Sequence, residues 1–343
     1  MTWSPQATER VHDNTLVLRD QGRKMLKDAI RTHVEPIRTR LRSFMRSEPP
    51  QPRTPIRRTW SIGIYVGTTP LSLHGSKDVR NPVLTYADVS DVPARFVADP
   101  FMVRKQGTWH MFFEVMPTAI RRGGIGLATS DDAFHWKYQR IVLREPFHLS
   151  YPYVFDWDGE YFMVPECYQS GGVRLYKATT FPHEWAFQQT LVEGGTFLDP
   201  SLLHYNDRWW LFVETNPQHK YDTLRLFHAD TLTGPWQEHP RSPIVTGSNR
   251  IARPAGRVQV IGGEIIRFAQ DCYPIYGTSV RAFVISELTP TRYKERACLE
   301  NPILAPNGTG WNSSGMHQVD IHGLGDGTWI ACVDGMAIEE FTE

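Results

Sequence analysis

The chain has 343 residues, of which 41% are hydrophobic, so it is long enough for one large repeat domain or two ordinary ones with a sizeable core. Lys/Arg and Asp/Glu balance at 37 each, but residues 1–58 hold 13 basic against 6 acidic residues, which leaves 24 against 31 in the remainder. A mildly acidic main region without a basic face argues against nucleic acid as its ligand, and no run of about 18 apolar residues exists to span a bilayer.

The first element is a helical stripe. Leu26, Ile30, Val34, Ile37, Leu41 and Met45 recur at helical spacing, while Arg23, Lys24, Lys27, Arg31, Arg38, Arg40 and Arg42 fill other faces. Pro36 kinks or breaks this helix. A basic helical extension is expected over 1–48, with a Pro-rich linker over 49–58. Two roles stand side by side: contact with an anionic membrane surface through residues 15–46, or packing on the main domain or a partner chain. No signal peptide precedes it. Cys167, Cys272, Cys298 and Cys332 show no metal-site spacing and read as free thiols. A cytoplasmic protein, peripheral at a membrane surface, is the resulting expectation.

From residue 59 onward a repeat decides the fold. One unit runs Asp99-Pro100, Gln106-Gly107, Trp109, Glu114; a second runs Tyr151-Pro152, Asp158-Gly159, Tyr161, Glu166; a third runs Asp199-Pro200, Asn206-Asp207, Trp209, Glu214. Each is a hairpin with turn-forming residues at its midpoint. Two looser copies follow: Arg253-Pro254 to a Gly262-Gly263 turn ending near Gln270-Asp271, and His317 to an Asp326-Gly327 turn ending at Asp334. The extra residues before these two turns predict a bulge or a longer first strand.

A third strand recurs after the hairpins, at 125–129, 173–177, 224–228 and 280–284, with Trp136, Trp185 and Trp236 following the first three. These tryptophans read as blade-packing core. The fifth copy, Ile62 to Val66, stands before the first hairpin instead of after the last. Five hairpins and five third strands out of phase by one predict an all-β, five-bladed propeller over 59–343, closed by its N-terminal strand.

In a propeller the first strand of each blade lines the central channel. Asp99, Tyr151, Asp199, Arg253 and His317 therefore converge at one end, and the hairpins return Glu114, Glu166 and Glu214 to that end. Paired carboxylates across a polar cleft suit glycosyl transfer. The competing reading is structural: Asp caps turns at strand starts, and the three Glu hold blades together. Tyr151, Tyr153, Trp209, Tyr273 and Tyr276 offer apolar faces with polar edges for a sugar ring.

The segments Val97-Ala98-Asp99-Pro100-Phe101, Leu198-Asp199-Pro200-Ser201-Leu202-Leu203 and Gly315-Met316-His317 resemble the first-, third- and fifth-blade motifs of glycoside hydrolase family 43. That resemblance implies Asp99 as general base, Asp199 as its modulator, and His317 beside an axial calcium, partly through water. More closely, the whole stretch resembles the N-terminal region of plant glucosamine inositolphosphorylceramide transferases. Those plant proteins carry a separate glycosyltransferase domain downstream, and this chain is expected to end without one.

The sequence departs from the hydrolase pattern where that family places its acid Glu: here stands Ala252-Arg253-Pro254. Arg does not donate a proton at neutral pH. Either Glu166, Glu214 or Asp271 is the acid, or the chemistry is not simple hydrolysis. Arg253, with Arg257 near it, suits a phosphate or carboxylate on the ligand. Alternatively, Arg253 neutralises Asp99 and Asp199 in a catalytically dead cup. The leading expectation is an enzyme of glycosyl transfer, phosphorolysis or hydrolysis on a glycan or glycolipid head group. The alternative is a non-catalytic sugar-binding propeller that assists a partner glycosyltransferase.

Overall fold

A computed structural model of the chain describes residues 56–340. The helical extension expected over 1–48 lies outside the described residues. The described strands are β1 (Ile56–Thr69), β2 (Ser72–Gly75), β3 (Ala94–Lys105), β4 (Thr108–Pro117), β5 (Gly124–Ser130), β6 (Lys137–Leu143), β7 (Ser150–Trp157), β8 (Glu160–Glu166), β9 (Gly172–Thr180) and β10 (Glu184–Glu193). They continue with β11 (Leu198–His204), β12 (Trp209–Glu214), β13 (Thr223–Ala229), β14 (Gln237–Glu238), β15 (Val245–Thr246), β16 (Gln259–Ile261), β17 (Glu264–Asp271), β18 (Ser279–Leu288), β19 (Tyr293–Ala297), β20 (Val319–Gly323) and β21 (Trp329–Glu340). They form five antiparallel sheets, one per blade: β3 to β6, β7 to β10, β11 to β15, β16 to β19, and a last blade ordered β20-β21-β1-β2.

The last blade carries the closure that the out-of-phase repeat predicts. β1 pairs with β21 without a slip, from Ile56 opposite Glu340 to Gly67 opposite Trp329. The N-terminal strand thus completes a sheet begun by the C-terminal hairpin. The fold is an all-β five-bladed propeller.

The hairpin turns follow from their residues. Gln106 and Gly107 have φ of 51° and 92°, Asp158 and Gly159 of 55° and 77°, and Gly262 and Gly263 of 60° and 86°. Two successive positive φ values match the right-handed twist of the flanking strands, which is why Gly, Asn and Asp gather there. The fifth hairpin differs: its loop is closed by Leu324 N donating to Thr328 O at 2.9 Å.

Middle strands such as β4 and β12 are buried on both faces, because each blade packs against two neighbours. Trp136, Trp185 and Trp236 repeat one device. Each indole donates back into the turn after its third strand, to Ala133 O, Pro182 O and Leu232 O at 2.8, 3.0 and 3.1 Å.

Blade four departs from the expected longer first strand. Its inner strand is interrupted: Pro254 makes an isolated bridge to Ala269, Gly256 bridges in parallel to Val319 of blade five, and regular pairing resumes only at β16. Gly256 has φ of 146°, and a Cβ there would stand 1.8 Å from Val319 O. Only glycine fits this approach. Among the described residues no helix is long and apolar enough to cross a membrane.

Candidate functional site: a carboxylate-lined cup at the propeller mouth

One residue in each of the first three inner strands, β3, β7 and β11, has a strained backbone. Asp99, Tyr151 and Asp199 have φ of 54°, 45° and 50°, and at each the ladder slips by a bulge before the following residues. A left-handed conformation at a non-Gly residue costs on the order of 1–3 kcal/mol and persists only where its surroundings over-determine it. Two of those supports are visible. Asp99 N donates to Asp334 Oδ2 at 3.1 Å, and Tyr151 N donates to Asp99 Oδ2 at 3.3 Å. Blades five, one and two are thereby linked in sequence around the mouth.

Two charge centres occupy the cup. In the first, Arg253 Nε donates to Asp199 Oδ2 at 2.5 Å, and its Nη2 donates to Asp199 Oδ1 and Glu166 Oε2, each at 3.2 Å. Gln270 Nε2 donates to Asp199 Oδ2 at 2.6 Å. The guanidinium also lies over the rings of Tyr221 and Tyr276, 4.7 and 5.1 Å from their centroids. In the second centre, His317 Nδ1 stands 2.7 Å from Asp334 Oδ2, and its Nε2 stands 3.7 Å from Asp99 Oδ1. Trp60 of β1 stacks on the imidazole with centroids 3.9 Å apart. Asp334 Oδ1 accepts from the backbone N–H groups of both His317 and Gln318 at 3.0 Å.

These contacts sort the carboxyls by protonation. Burial pushes Asp99 up to about 7, against the pull of His317. Burial and then the Asp199 charge raise Glu166 well above the usual range. Burial likewise lifts Glu214 to about 7, although its Oε1 accepts from Asn216 N at 2.9 Å. Burial and the charges of Asp99 and Asp199 raise Glu114 well above that range too. Burial opposes the His317 charge, but Asp334 and Asp99 outweigh it and raise the imidazole. Acidic groups that keep their protons near neutral pH are suited to proton donation.

A cleft of about 530 Å³ opens over the first centre, lined by Met116, Arg121, His148, Glu166, Tyr168, Gln169, Leu198, His219, Tyr221, Arg253 and Tyr276. Glu166 is therefore the carboxyl of the Asp199 centre that reaches the cleft wall.

The other residues named from the sequence are distributed differently. Tyr151 is buried beneath the cup, where its hydroxyl accepts from Gly256 N at 2.7 Å and meets Ser201 Oγ at 2.8 Å. Tyr153 is also buried and donates to Leu202 O. Arg257 donates to Asp320 Oδ1 at 2.9 Å and to Val154 O at 3.0 Å, so it sits between inner strands and not in the cleft. Trp209 opens β12 at the end away from Glu214 and packs against Trp157 and Phe155 in the inter-blade core. Asp271 is held by Arg250 and Arg281, at 3.1 and 2.9 Å. Tyr273 is 59% exposed, with Arg250 over its ring. Two guanidinium groups occupy the Asp271 carboxylate, and core packing explains why Trp209 offers no face to a ligand.

Several site residues had weak signals or none. Asp334 ends the fifth repeat as Glu114, Glu166 and Glu214 end the first three, so the period itself marks it. His148, Tyr168 and Tyr221 lie on connections between repeat strands, where no period exists.

The donors beside His317 do not fit the axial calcium that the hydrolase resemblance implies. Asp99, His317 and Asp334 offer ligand atoms within 4.8 Å of one another. Yet Asp334 already accepts three backbone N–H groups and faces the imidazole. What remains is one carboxylate oxygen and one nitrogen, far from the six to eight oxygens that calcium prefers.

The family described as "Glucosamine inositolphosphorylceramide transferase 1, N-terminal" matches residues 55–336. A protein named glucosamine inositolphosphorylceramide transferase 1 from Oryza sativa subsp. japonica is 36% identical over 297 residues, covering 81% of this chain and 40% of the relative. Its namesake from Arabidopsis thaliana is 32% identical over 300 residues, covering 81% and 39%. The chain thus spans about 40% of the length of the curated relatives it matches. Among solved structures, a putative glycoside hydrolase from Parabacteroides distasonis aligns with a TM-score of 0.53 at 11% identity, covering 74% of this chain and 93% of that one. An exo-beta-1,3-galactanase from Clostridium thermocellum aligns with a TM-score of 0.51 at 14% identity, covering 68% and 59%. At such identities the likeness is one of fold. The match over nearly the whole propeller, together with the plant relatives, places the chain in the family of glucosamine inositolphosphorylceramide transferase 1 N-terminal regions.

Proposed function

We propose that the cup binds a carbohydrate and performs acid–base chemistry on a glycosidic bond, with Glu166 as the acid and Asp99 as the base. The observation that carries this reading is the placement of Glu166. It lines an aromatic-walled cleft, is joined through Arg253 to Asp199, and keeps its proton. Protonating the departing sugar oxygen needs such a group. Asp99, raised to about 7 and so partly ionised at neutral pH, takes the proton of the incoming hydroxyl in its ionised form, and the two carboxyls exchange protonation states over one turnover. The aromatic rings of Tyr168, Tyr221 and Tyr276 supply faces for a pyranose or furanose. Arg253 Nη1 makes no hydrogen bond among the described residues, so it is the atom that would meet a phosphate or carboxylate on the ligand. The sugar-processing names of the relatives and of the fold neighbours support the substrate class.

The test is a screen for transfer, phosphorolysis and hydrolysis with wild type, Glu166→Gln and Asp99→Asn. Both variants are expected to bind carbohydrate and lose turnover by at least about a hundredfold. Turnover unchanged in both would overturn the assignment. A second reading has its own support: Arg253 occupies the position where the resembling hydrolases hold their acid, and it is tied to two carboxyls. On that reading the wild type binds sugar without turning it over and presents it to a partner glycosyltransferase.

A further inference from the structure

A second pair of groups, one of them on the cleft wall and the other behind it, lies apart from the Arg253 and His317 centres. Glu114, at the end of the hairpin of blade one, has a side chain only 7% exposed, and its Oε1 has no hydrogen-bond partner among the described residues. His148, on the connection from blade one to blade two, lines the cleft and brings its Nε2 to 3.6 Å from that oxygen. The gap is too long for a hydrogen bond. An oxygen lodged beside this gap would lie within hydrogen-bond distance of both groups.

The imidazole is fixed in one form. Gly123 N donates to His148 Nδ1 at 2.9 Å, so Nδ1 is the acceptor and Nε2 carries the proton. His148 N donates to Gln169 Oε1 at 2.8 Å, which fixes the backbone behind it. Burial and the nearby Arg253 charge push this imidazole down to about 4, so it is neutral at physiological pH. Gly123 closes the back of the pair: a Cβ there would stand 2.8 Å from Glu114 Oε1, 2.4 Å from Leu149 O and 3.0 Å from His148 Cε1. The space between the two groups is thus bounded by backbone, and a side chain at 123 would fill it.

We propose that Glu114 and His148 form a hydroxyl clamp, in which one sugar hydroxyl accepts from His148 Nε2–H and donates to Glu114 Oε1. A hydroxyl is both donor and acceptor, so it satisfies both groups at once. A deoxy position leaves both groups unpaired. Sites built to pair a buried hydroxyl reject the analogue that lacks it far more strongly than they reject a change in apolar bulk. This inference rests on the carbohydrate reading above and adds a specificity element to it.

The experiment is calorimetric titration of the full chain with xylobiose, arabinobiose, beta-1,3-galactobiose and methyl N-acetylglucosaminide. The best binder is then repeated as its series of monodeoxy derivatives. One deoxy position is expected to weaken binding at least tenfold in wild type, as expected for an unpaired buried partner. The same position should cost less than threefold in His148→Gln and in Glu114→Gln, each checked for an unchanged circular dichroism spectrum. A parent sugar that binds while no deoxy position is singled out, or equal sensitivity in wild type and both variants, would sink the clamp and leave the carbohydrate reading standing. If none of these sugars binds wild type, both fail together. Because the deoxy series is run on wild type, a variant that misfolds still leaves a decisive result.

Discussion

His317 Nδ1 stands 2.7 Å from Asp334 Oδ2, and this contact joins the strand that closes the ring to the strained backbone of Asp99. Asp334 lies in β21 directly opposite Ile62 of β1, two residues along from Trp60, which stacks on the same imidazole. Closure of the propeller and construction of the cup are therefore one event in packing terms. A single carboxylate accepts three backbone N–H groups from blades one and five and faces a fourth donor.

Replacing that carboxylate should be costly. In Asp334→Asn an amide nitrogen must face at least one of those N–H donors, leaving buried groups unpaired. The expected loss is about 3 kcal/mol, in the range for breaking a buried, hydrogen-bonded ion pair. Urea unfolding of the variant against wild type measures it. A loss below about 1 kcal/mol would show that Asp334 does not hold the bulge at Asp99.

Ring closure makes a second prediction. β1 supplies the middle of the last blade, paired on one side with β21 and on the other with β2. A chain beginning at Ile56 should fold to a cooperative domain with a melting temperature close to that of the full chain. A chain beginning at Leu71 removes β1 entirely, exposes the edge of β21, and should be unfolded or aggregated. Equal melting of the two truncated chains would remove the closure argument.

The fold was legible in the sequence because its signals are local and periodic. A Gly, Asn or Asp at each turn, an apolar strand on either side and the displaced fifth copy at Ile62 to Val66 suffice to count blades and to close the ring. The end of the propeller that gathers carboxyls was legible for the same reason, since Asp99, Asp199, Glu114, Glu166 and Glu214 occupy fixed positions in the period. Which partner each carboxyl takes was not legible. Arg253 binding both Asp199 and Glu166, or His148 approaching Glu114, depends on how neighbouring blades tilt. Trp209 illustrates the limit: it shares a strand with Glu214, yet it stands at the far end of it, in the core. The interruption of blade four at Gly256 was legible only as extra residues before a turn, because a bulge, a longer strand and a break all insert chain at the same place.

Gly256 yields a third prediction. Its φ of 146° is disfavoured for any side chain, and a Cβ would sit 1.8 Å from Val319 O. The same residue bonds Tyr151 through both its N–H and its carbonyl. Gly256→Ala cannot be relieved by a rotamer change, since the obstacle is backbone. The expected cost is about 4 kcal/mol or more, the range seen for severe strain in a packed core. Soluble yield and thermal melting report it; a variant melting within a few degrees of wild type would mean that blades four and five can separate at the axis.

The pH dependence of stability should be governed by the carboxyls of the cup. Asp99 and Glu214 are raised to about 7 by burial, and burial also raises Glu114 and Glu166 well above the usual carboxylate range. A group whose folded pKa lies above its unfolded one contributes stability below the unfolded value and loses it as pH rises through the folded value. Between about pH 5 and 7 the unfolded chain has released these protons while the native chain keeps them, so stability falls as pH rises. Asp320 and Glu295 act oppositely, held low against burial by Arg257 and Arg267 respectively, and their contribution is lost below about pH 4. The propeller should therefore be most stable near pH 5 and melt lower at pH 8. Glu214→Gln should flatten the alkaline side by up to about 1.4 kcal/mol per pH unit. A melting temperature that rises steadily from pH 5 to 8 would contradict the protonation states assigned to the cup.

The axis itself supplies the last prediction. Arg257 carries a fixed positive charge among the inner strands: its Nε and Nη2 reach Asp320 Oδ1 and Oδ2 at 2.9 and 3.3 Å, and Nη2 reaches Val154 O at 3.0 Å. Asp320 in turn accepts from Met102 N at 2.7 Å and from His322 Nε2 at 2.9 Å. The guanidinium also lies over the ring of Tyr153, 4.9 Å from its centroid. Strands β3, β7 and β20 thus meet on one internal cation. Arg257→Met keeps most of the volume but strands the Asp320 carboxylate without its main counter-charge. It should cost about 3–5 kcal/mol, as removal of one partner of a buried pair does. Arg257→Lys should recover part of that loss, because an ammonium restores the charge without the planar fork that reaches both the carboxylate and the carbonyl. Treatment with a chelator followed by calcium should leave the melting temperature of wild type unchanged. A chelator-induced drop reversed by calcium, with Arg257→Met no less stable than wild type, would assign the bridging of the inner strands to a metal and not to Arg257.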